Sequence, residues 1–166
     1  MNRESILALW DEHQRCEFEL RDVEMTLDTM TDDPHILNVP VMVGGQGRDG
    51  VRRFYRDLFL PGIPADMEVA DFSCTVDADH LVAERNMSFT HDTRMPWILP
   101  DLEPTGRSVE VPHVVIVAIA DGKVDSEHIF WDQGSVLGQV GLIATDGLPV
   151  YGRETAAALA AAAKPE

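Results

Sequence analysis

Apolar or tolerated residues recur at Ile6, Leu9, His13, Cys16, Leu20, Val23, Leu27 and Met30 in alternating steps of three and four. That spacing predicts a helical stripe. Asp22 is a candidate cap for a second segment after a break near residues 19–22, and Asp32-Asp33-Pro34 stops the helix. His35 to Gly45 reads as a short edge strand interrupted by Pro40, and Gly44-Gly45-Gln46-Gly47 as a turn. Val51, Phe54, Tyr55, Leu58 and Phe59 then mark an amphipathic helix with Arg52, Arg53 and Arg56 turned outward, ended by Pro61-Gly62. Met67 to Val76 and Leu81 to His91 are two strands around a polar turn. Val109 to Leu142 reads as a long hairpin whose arms meet at Asp121-Gly122, a pair suited to a type I′ turn.

Between the two strand pairs, Arg94 to Gly106 holds three prolines and a tryptophan, a loop with an apolar tip able to lie across a cavity mouth. After the hairpin, Glu154 to Lys164 is dominated by alanine and predicts a short appended helix. The element order is that of an α+β fold, with helices packed on one face of a curved, mainly antiparallel sheet. Such a sheet closed by helices leaves a cone, and a small apolar ligand is the occupant that a cone suits. We expect one domain over residues 1–152 and an alanine-rich tail over 153–166.

Composition narrows the function. Hydrophobic residues make up 45% and charged residues 25%, the balance of a folded globular chain. Lys and Arg number 13 against 29 Asp and Glu, a formal charge of -16, so nucleic acid and anionic membranes are poor partners. The N-terminal apolar run, Ile6 to Trp10, is too short and too flanked by acids for a signal peptide or a span, which makes a cytoplasmic location the expectation. Cys16 and Cys74 show no metal or redox spacing, and no tight histidine pair is present, so neither metal nor cofactor is expected.

Side chains of a strand alternate faces, so Ser126, His128, Phe130 and Asp132 share one side of the second hairpin arm, and Glu127, Ile129, Trp131 and Gln133 the other. The first set joins a carboxylate and an imidazole to apolar neighbours, which singles out Asp132 as the catalytic candidate. If it faces inward beside Trp131 and Phe130, its carboxyl is desolvated, which raises the pKa toward neutrality and fits it for proton transfer. Glu84 is its candidate partner, His128 and His113 candidates to shuttle the proton or orient substrate, and His91 a weaker binding candidate. Trp10, Trp97 and Phe130 are expected as apolar wall, while His13 reads as a core histidine on the helical stripe.

The element order, the strand ending in DGKV and the run EHIFWDQGSVLGQVGL resemble the nuclear transport factor 2-like superfamily, in its SnoaL-like polyketide cyclase branch. NVPVMVGGQGRDGVRRFYRD, FTHD at 89–92, LEPTGRSVEVP and EHIFWDQ are similar to bacterial proteins labelled carboxymethylenebutenolidase, and the likeness spans about residues 5 to 152. The resemblance implies a cone-shaped α+β barrel, pairing as a homodimer, and an acid/base role for Asp132, the residue that stands before the Q-x-G segment. A hydrolase with a cysteine nucleophile is disfavoured, because neither QRCEF nor FSCTV carries the glycines of a nucleophile elbow. The expected activity is cofactor-independent proton transfer on an apolar carbonyl compound, of cyclase, isomerase or dehydratase type. The alternatives are a binding protein without turnover and a lactone or ester hydrolase that activates water.

Overall fold

Helix α1 (Arg3–Gln14) starts where Asn2 turns extended and its Oδ1 accepts from the Ser5 N–H at 2.8 Å. It widens into a π turn over Arg15–Leu20 that ends at Arg21, whose φ is +51°. Asp22 then caps α2 (Val23–Asp28) by accepting from the Met25 N–H at 2.9 Å, so the break falls where the stripe predicted it. The helix is shorter than the stripe suggested, because Met30 already belongs to β1 (Met30–Asn38). Helix α3 (Gly47–Arg53) likewise widens into a π turn, Phe54–Phe59, before a tight 3₁₀ turn over Leu60–Gly62. Single π turns inside helices recur at functional sites. Both of these turns carry side chains to one cavity, as described below.

The computed structural model describes residues 1–162, so the last four residues of the alanine-rich tail lie outside the described residues. Six strands form one sheet in the order β2-β1-β6-β5-β4-β3, with β2 (Val43–Gln46), β3 (Glu68–Val76), β4 (His80–Thr90), β5 (Ser108–Ala120) and β6 (Lys123–Trp131). All neighbours are antiparallel except β1 and β6. This is the mixed, mainly antiparallel α+β plan expected. The Pro40 segment is not the edge: Pro40 sits in the β1–β2 connection, β1 is interior, and β2 forms the edge. The glycine run is that edge strand rather than a turn, since a Cβ on Gly44 would lie 1.9 Å from the Ile36 carbonyl oxygen and one on Gly45 2.5 Å from Gly50. Only glycine permits β2 to lie so close.

Asp121 and Gly122 have φ of +52° and +76°, the two left-handed residues that a type I′ turn requires. Immediately after it the β5–β6 ladder slips by one residue: Ile119 faces Val124, yet Ala118 faces Ser126, leaving Asp125 as a bulge. Thr31 of β1 holds that bulge through a 3.0 Å hydrogen bond to Asp125 Oδ1, and β1 itself loses pairing between Met30 and His35, around Pro34. Beyond the bulge, the inward side chains of β6 are Glu127, Ile129 and Trp131. The second arm ends there. Where the apolar pattern suggested strand to Leu142, Asp132 starts α4 (Gln133–Gln139), and α5 (Glu154–Ala162) follows with Ala156 buried.

Candidate functional site

The register of the sheet stacks its inward side chains in rows. Ile36, Glu127, Val117 and Leu81 form one row; Asn38, Ile129, Val115 and Ala83 the next; Trp131, His113 and Arg85 a third. A hollow lies over the Ile36, Glu127, Asn38, Ile129, Val115, Trp131, His113 and Arg85 side of these rows. The helices roof this hollow with Trp10, Phe18, Phe54, Tyr55 and Phe59, and the 94–106 loop adds Trp97, whose Nε1 donates to the Gly62 carbonyl at 3.2 Å. The resulting cavity holds about 590 Å³ of empty space, its mouth included. Its wall is mostly apolar, with a few polar groups converging on it, the usual make-up of a small-molecule site.

Four polar side chains from three elements meet at one side of it. His13 on α1 is fully buried, and its Nδ1 lies 2.5 Å from Thr29 Oγ1. The Thr29 hydroxyl gives its own proton to the Thr26 carbonyl at 2.6 Å, so it accepts from Nδ1–H. The other ring nitrogen, Nε2, faces carboxylates, at 2.9 Å from Glu127 Oε1 and 3.3 Å from Glu17 Oε1. Both ring nitrogens therefore carry protons. Burial alone would lower the imidazole pKa, but Glu127 and Glu17 together outweigh it and raise it to about 10.

Tyr55, also fully buried, donates its O–H to Glu17 Oε1 at 2.5 Å and is held neutral by burial and by the same two carboxylates. One imidazolium against two carboxylates leaves the cluster with an excess negative charge in an apolar surround. Burial raises the pKa of Glu127 and Glu17 raises it further, against the pull of His13. Among the described residues Glu127 Oε2 makes no hydrogen bond, and Glu127 lines the cavity. His13, Glu17 and Glu127 also have ligand-type atoms within 4.8 Å of one another, the donor set a divalent metal would use. Here an ion would have to displace the Nε2 proton, because both His13 nitrogens are committed as donors.

In the third row, Arg85 is nearly buried, with its Nε on Asp71 Oδ1 at 2.5 Å and its guanidinium carbon 6.0 Å from the Trp10 ring centroid. His113 stands directly across the ladder from it. Its Nδ1 is buried without a hydrogen-bond partner among the described residues, and burial with the neighbouring Arg85 charge lowers its pKa to about 3.

Of the residues singled out from sequence, the structure brings His113, Trp10 and Trp97 to the cavity wall. The others lie elsewhere. Asp132 is exposed, and its Oδ1 accepts from the Ser135 N–H at 3.1 Å as the cap of α4. The Asp125 bulge shifts the phase of β6, so His128 and Phe130 fall on the outer face of the sheet, where His128 meets His35 with 3.4 Å between ring nitrogens and Phe130 is exposed. Glu84 is on that outer face too, bonded to Ser73 Oγ at 3.2 Å. His91 is buried just past the end of β4, paired with Thr105 at 3.1 Å and absent from the cavity wall. His13, Glu17, Tyr55 and Glu127 carried weaker signals. His13 and Glu17 stand four apart at the buried face of a helix, and Glu127 shares its face with Ile129 and Trp131, a more apolar pair than the neighbours of His128.

Comparison with known proteins places this architecture. The family model of the SnoaL-like domain matches residues 10–127. A protein from Jannaschia sp. CCS1, provisionally assigned as a SnoaL-like polyketide cyclase, is 25% identical, with 85% of this chain and 92% of that one covered and a TM-score of 0.63. TsrD from Streptomyces laurentii is 20% identical over 86% of this chain and 99% of its own, with a TM-score of 0.67. A protein from Kribbella flavida provisionally assigned as a ketosteroid isomerase is 18% identical over 77% and 78%, with a TM-score of 0.53. No curated protein matches the chain. Among the described residues no helix is long and apolar enough to cross a membrane.

Proposed function

For this chain, which belongs to the SnoaL-like domain family of the nuclear transport factor 2-like superfamily, we propose an enzyme that moves a proton on an apolar carbonyl compound. The observation that carries this reading is Glu127: a buried carboxylate of raised pKa, gripped by a doubly protonated His13 and lining an apolar cavity. Glu127 takes a proton from the carbon beside the carbonyl, and the electron pair of that C–H bond moves onto the carbonyl oxygen as an enolate. Returning the proton to a different carbon isomerises the compound; attack of the enolate carbon on a second carbonyl closes a ring, and the alkoxide so formed takes the proton back from Glu127. His13 holds Glu127 in place and keeps its charge through the cycle, while Tyr55, which donates its O–H to Glu17, fixes the second carboxylate of the cluster. The polyketide cyclase and ketosteroid isomerase assignments of structural relatives are of this chemical kind and support the reading.

The test is deuterium exchange, by NMR in D₂O, at the carbon next to the carbonyl of small apolar ketones such as 2-tetralone. Wild-type protein accelerates exchange, and Glu127→Gln lowers the rate by about 10²–10⁴-fold, the usual contribution of a positioned base. Exchange that proceeds equally fast in Glu127→Gln overturns the assignment of the base. Tight binding of these ketones with no exchange in either protein points to a binding protein instead.

A further inference from the structure

Arg85 and His113 form a second polar station in the same cavity, at the far side of the hollow from Glu127. The two rows they and Glu127 occupy are separated along β6 by the four residues from Glu127 to Trp131, about 13 Å of strand at 3.3 Å per residue. Between them the wall is apolar, with Ile129 and Val115 in the middle row. Both members of this station are unfinished. The Arg85 side chain is only 8% exposed and meets Asp71 well at one point, Nε to Oδ1 at 2.5 Å, whereas Nη2 to Oδ2 is a marginal 3.5 Å. Asp71 is itself more than half exposed, so water screens its hold on the cation. His113 lines the same cavity directly across the ladder from Arg85, and its Nδ1 is a buried nitrogen with no partner among the described residues. Native interiors rarely leave a buried polar atom unpaired unless something else completes it.

We propose that Arg85 and His113 form an anion subsite that takes the ionised acidic oxygen of the substrate, a carboxylate or an acidic enol, on an aromatic or alicyclic body. This deepens the proposed function and rests on it only for which end of the ligand reacts. The guanidinium supplies the charge and a planar pair of donors that matches a carboxylate. His113, neutral under the joint effect of burial and Arg85, supplies one N–H without adding a second positive charge. The cluster around Glu127 carries excess negative charge and repels the same anion, so the ligand has one favourable orientation. Its acidic end meets Arg85 and its C–H end meets Glu127. Trp10, over which the guanidinium lies, and Ile129 and Val115 hold the body between them.

Calorimetric titration of the full chain at pH 7.5 with 2-naphthoate and with its neutral counterpart 2-acetonaphthone tests this. The naphthoate binds at least about tenfold more tightly than the ketone. Arg85→Met abolishes that preference while ketone affinity stays within about threefold, which also shows that the variant folds. His113→Phe lowers naphthoate affinity selectively and by less. Glu127→Gln keeps the preference for naphthoate, so a failure of the proton-transfer chemistry reads differently from a failure of the subsite. Equal affinities for the two probes in the wild type, binding of neither, or an equal loss of both in Arg85→Met overturns the proposal.

Discussion

His13 and His113 are both more than nine-tenths buried beside the same cavity, yet one is held charged with its pKa raised to about 10 and the other neutral with its pKa lowered to about 3. Burial acts on both in the same direction. What separates them is the neighbour across the gap: two carboxylates for His13 and an arginine for His113. A histidine in a protein interior is therefore a readout of the charges on adjoining elements. In this fold those charges come from β6 and the π turn of α1 in one case, and from β4 in the other.

Removing the charged member breaks the comparison most severely. In His13→Leu the Glu17 and Glu127 carboxylates are left without their cation, and the variant loses about 3–5 kcal/mol of stability in urea unfolding at pH 7. The double variant His13→Leu with Glu127→Gln recovers a good part of that loss. A single variant as stable as wild type would mean that His13 does not carry the charge assigned to it.

The two histidines also bound the stability profile from opposite sides. For His13 the folded pKa exceeds that of a free imidazole, so its stabilising contribution is complete below pH 6.5 and is lost as pH rises through about 10. For His113 the folded pKa is depressed, so its contribution is complete above pH 6.5 and is lost as pH falls toward about 3. The acid limb amounts to a few kcal/mol, and His113→Phe flattens it in a series of urea melts between pH 6.5 and pH 4. An unchanged limb in that variant assigns the acid sensitivity to other groups.

Smaller effects sharpen the picture. Asp132→Ala loses the cap of α4 and about 1 kcal/mol, with deuterium exchange by Glu127 unaltered. A large fall in exchange without a comparable loss of stability would return Asp132 to the chemistry. At pH 8, His113→Phe changes stability by less than about 1 kcal/mol, since the lost imidazole left a buried nitrogen unpaired among the described residues and the phenyl ring occupies similar space.

Much of the fold was legible in the chain. The helical stripe, the break capped by Asp22, the Asp121-Gly122 turn and the paired strands before it follow from local spacing and turn chemistry, and the SnoaL-like motifs agree with them. The candidate site was legible only in part. Trp10, Trp97 and His113 fell on the cavity wall, but the side chains singled out on β6 lie on its outer face. Val124 points inward, and strict alternation from it carries Ser126, His128 and Phe130 inward as well. The extra residue at Asp125 exchanges the faces, and the partner that bulge bonds is Thr31, ninety-four positions away in sequence. The same phase shift turns Glu127 toward His13, a pair 114 positions apart.

What the sequence determined by itself is therefore local: periods of apolar residues, caps, glycine-dependent turns, and a charge balance hostile to polyanions. These depend on interactions over a few residues, or on totals that no arrangement alters. Which carboxylate is buried, which histidine is charged and where the cavity lies were decided by the tertiary structure. The fields that set them act between side chains on different elements, and a single slip in strand register is enough to exchange every partner.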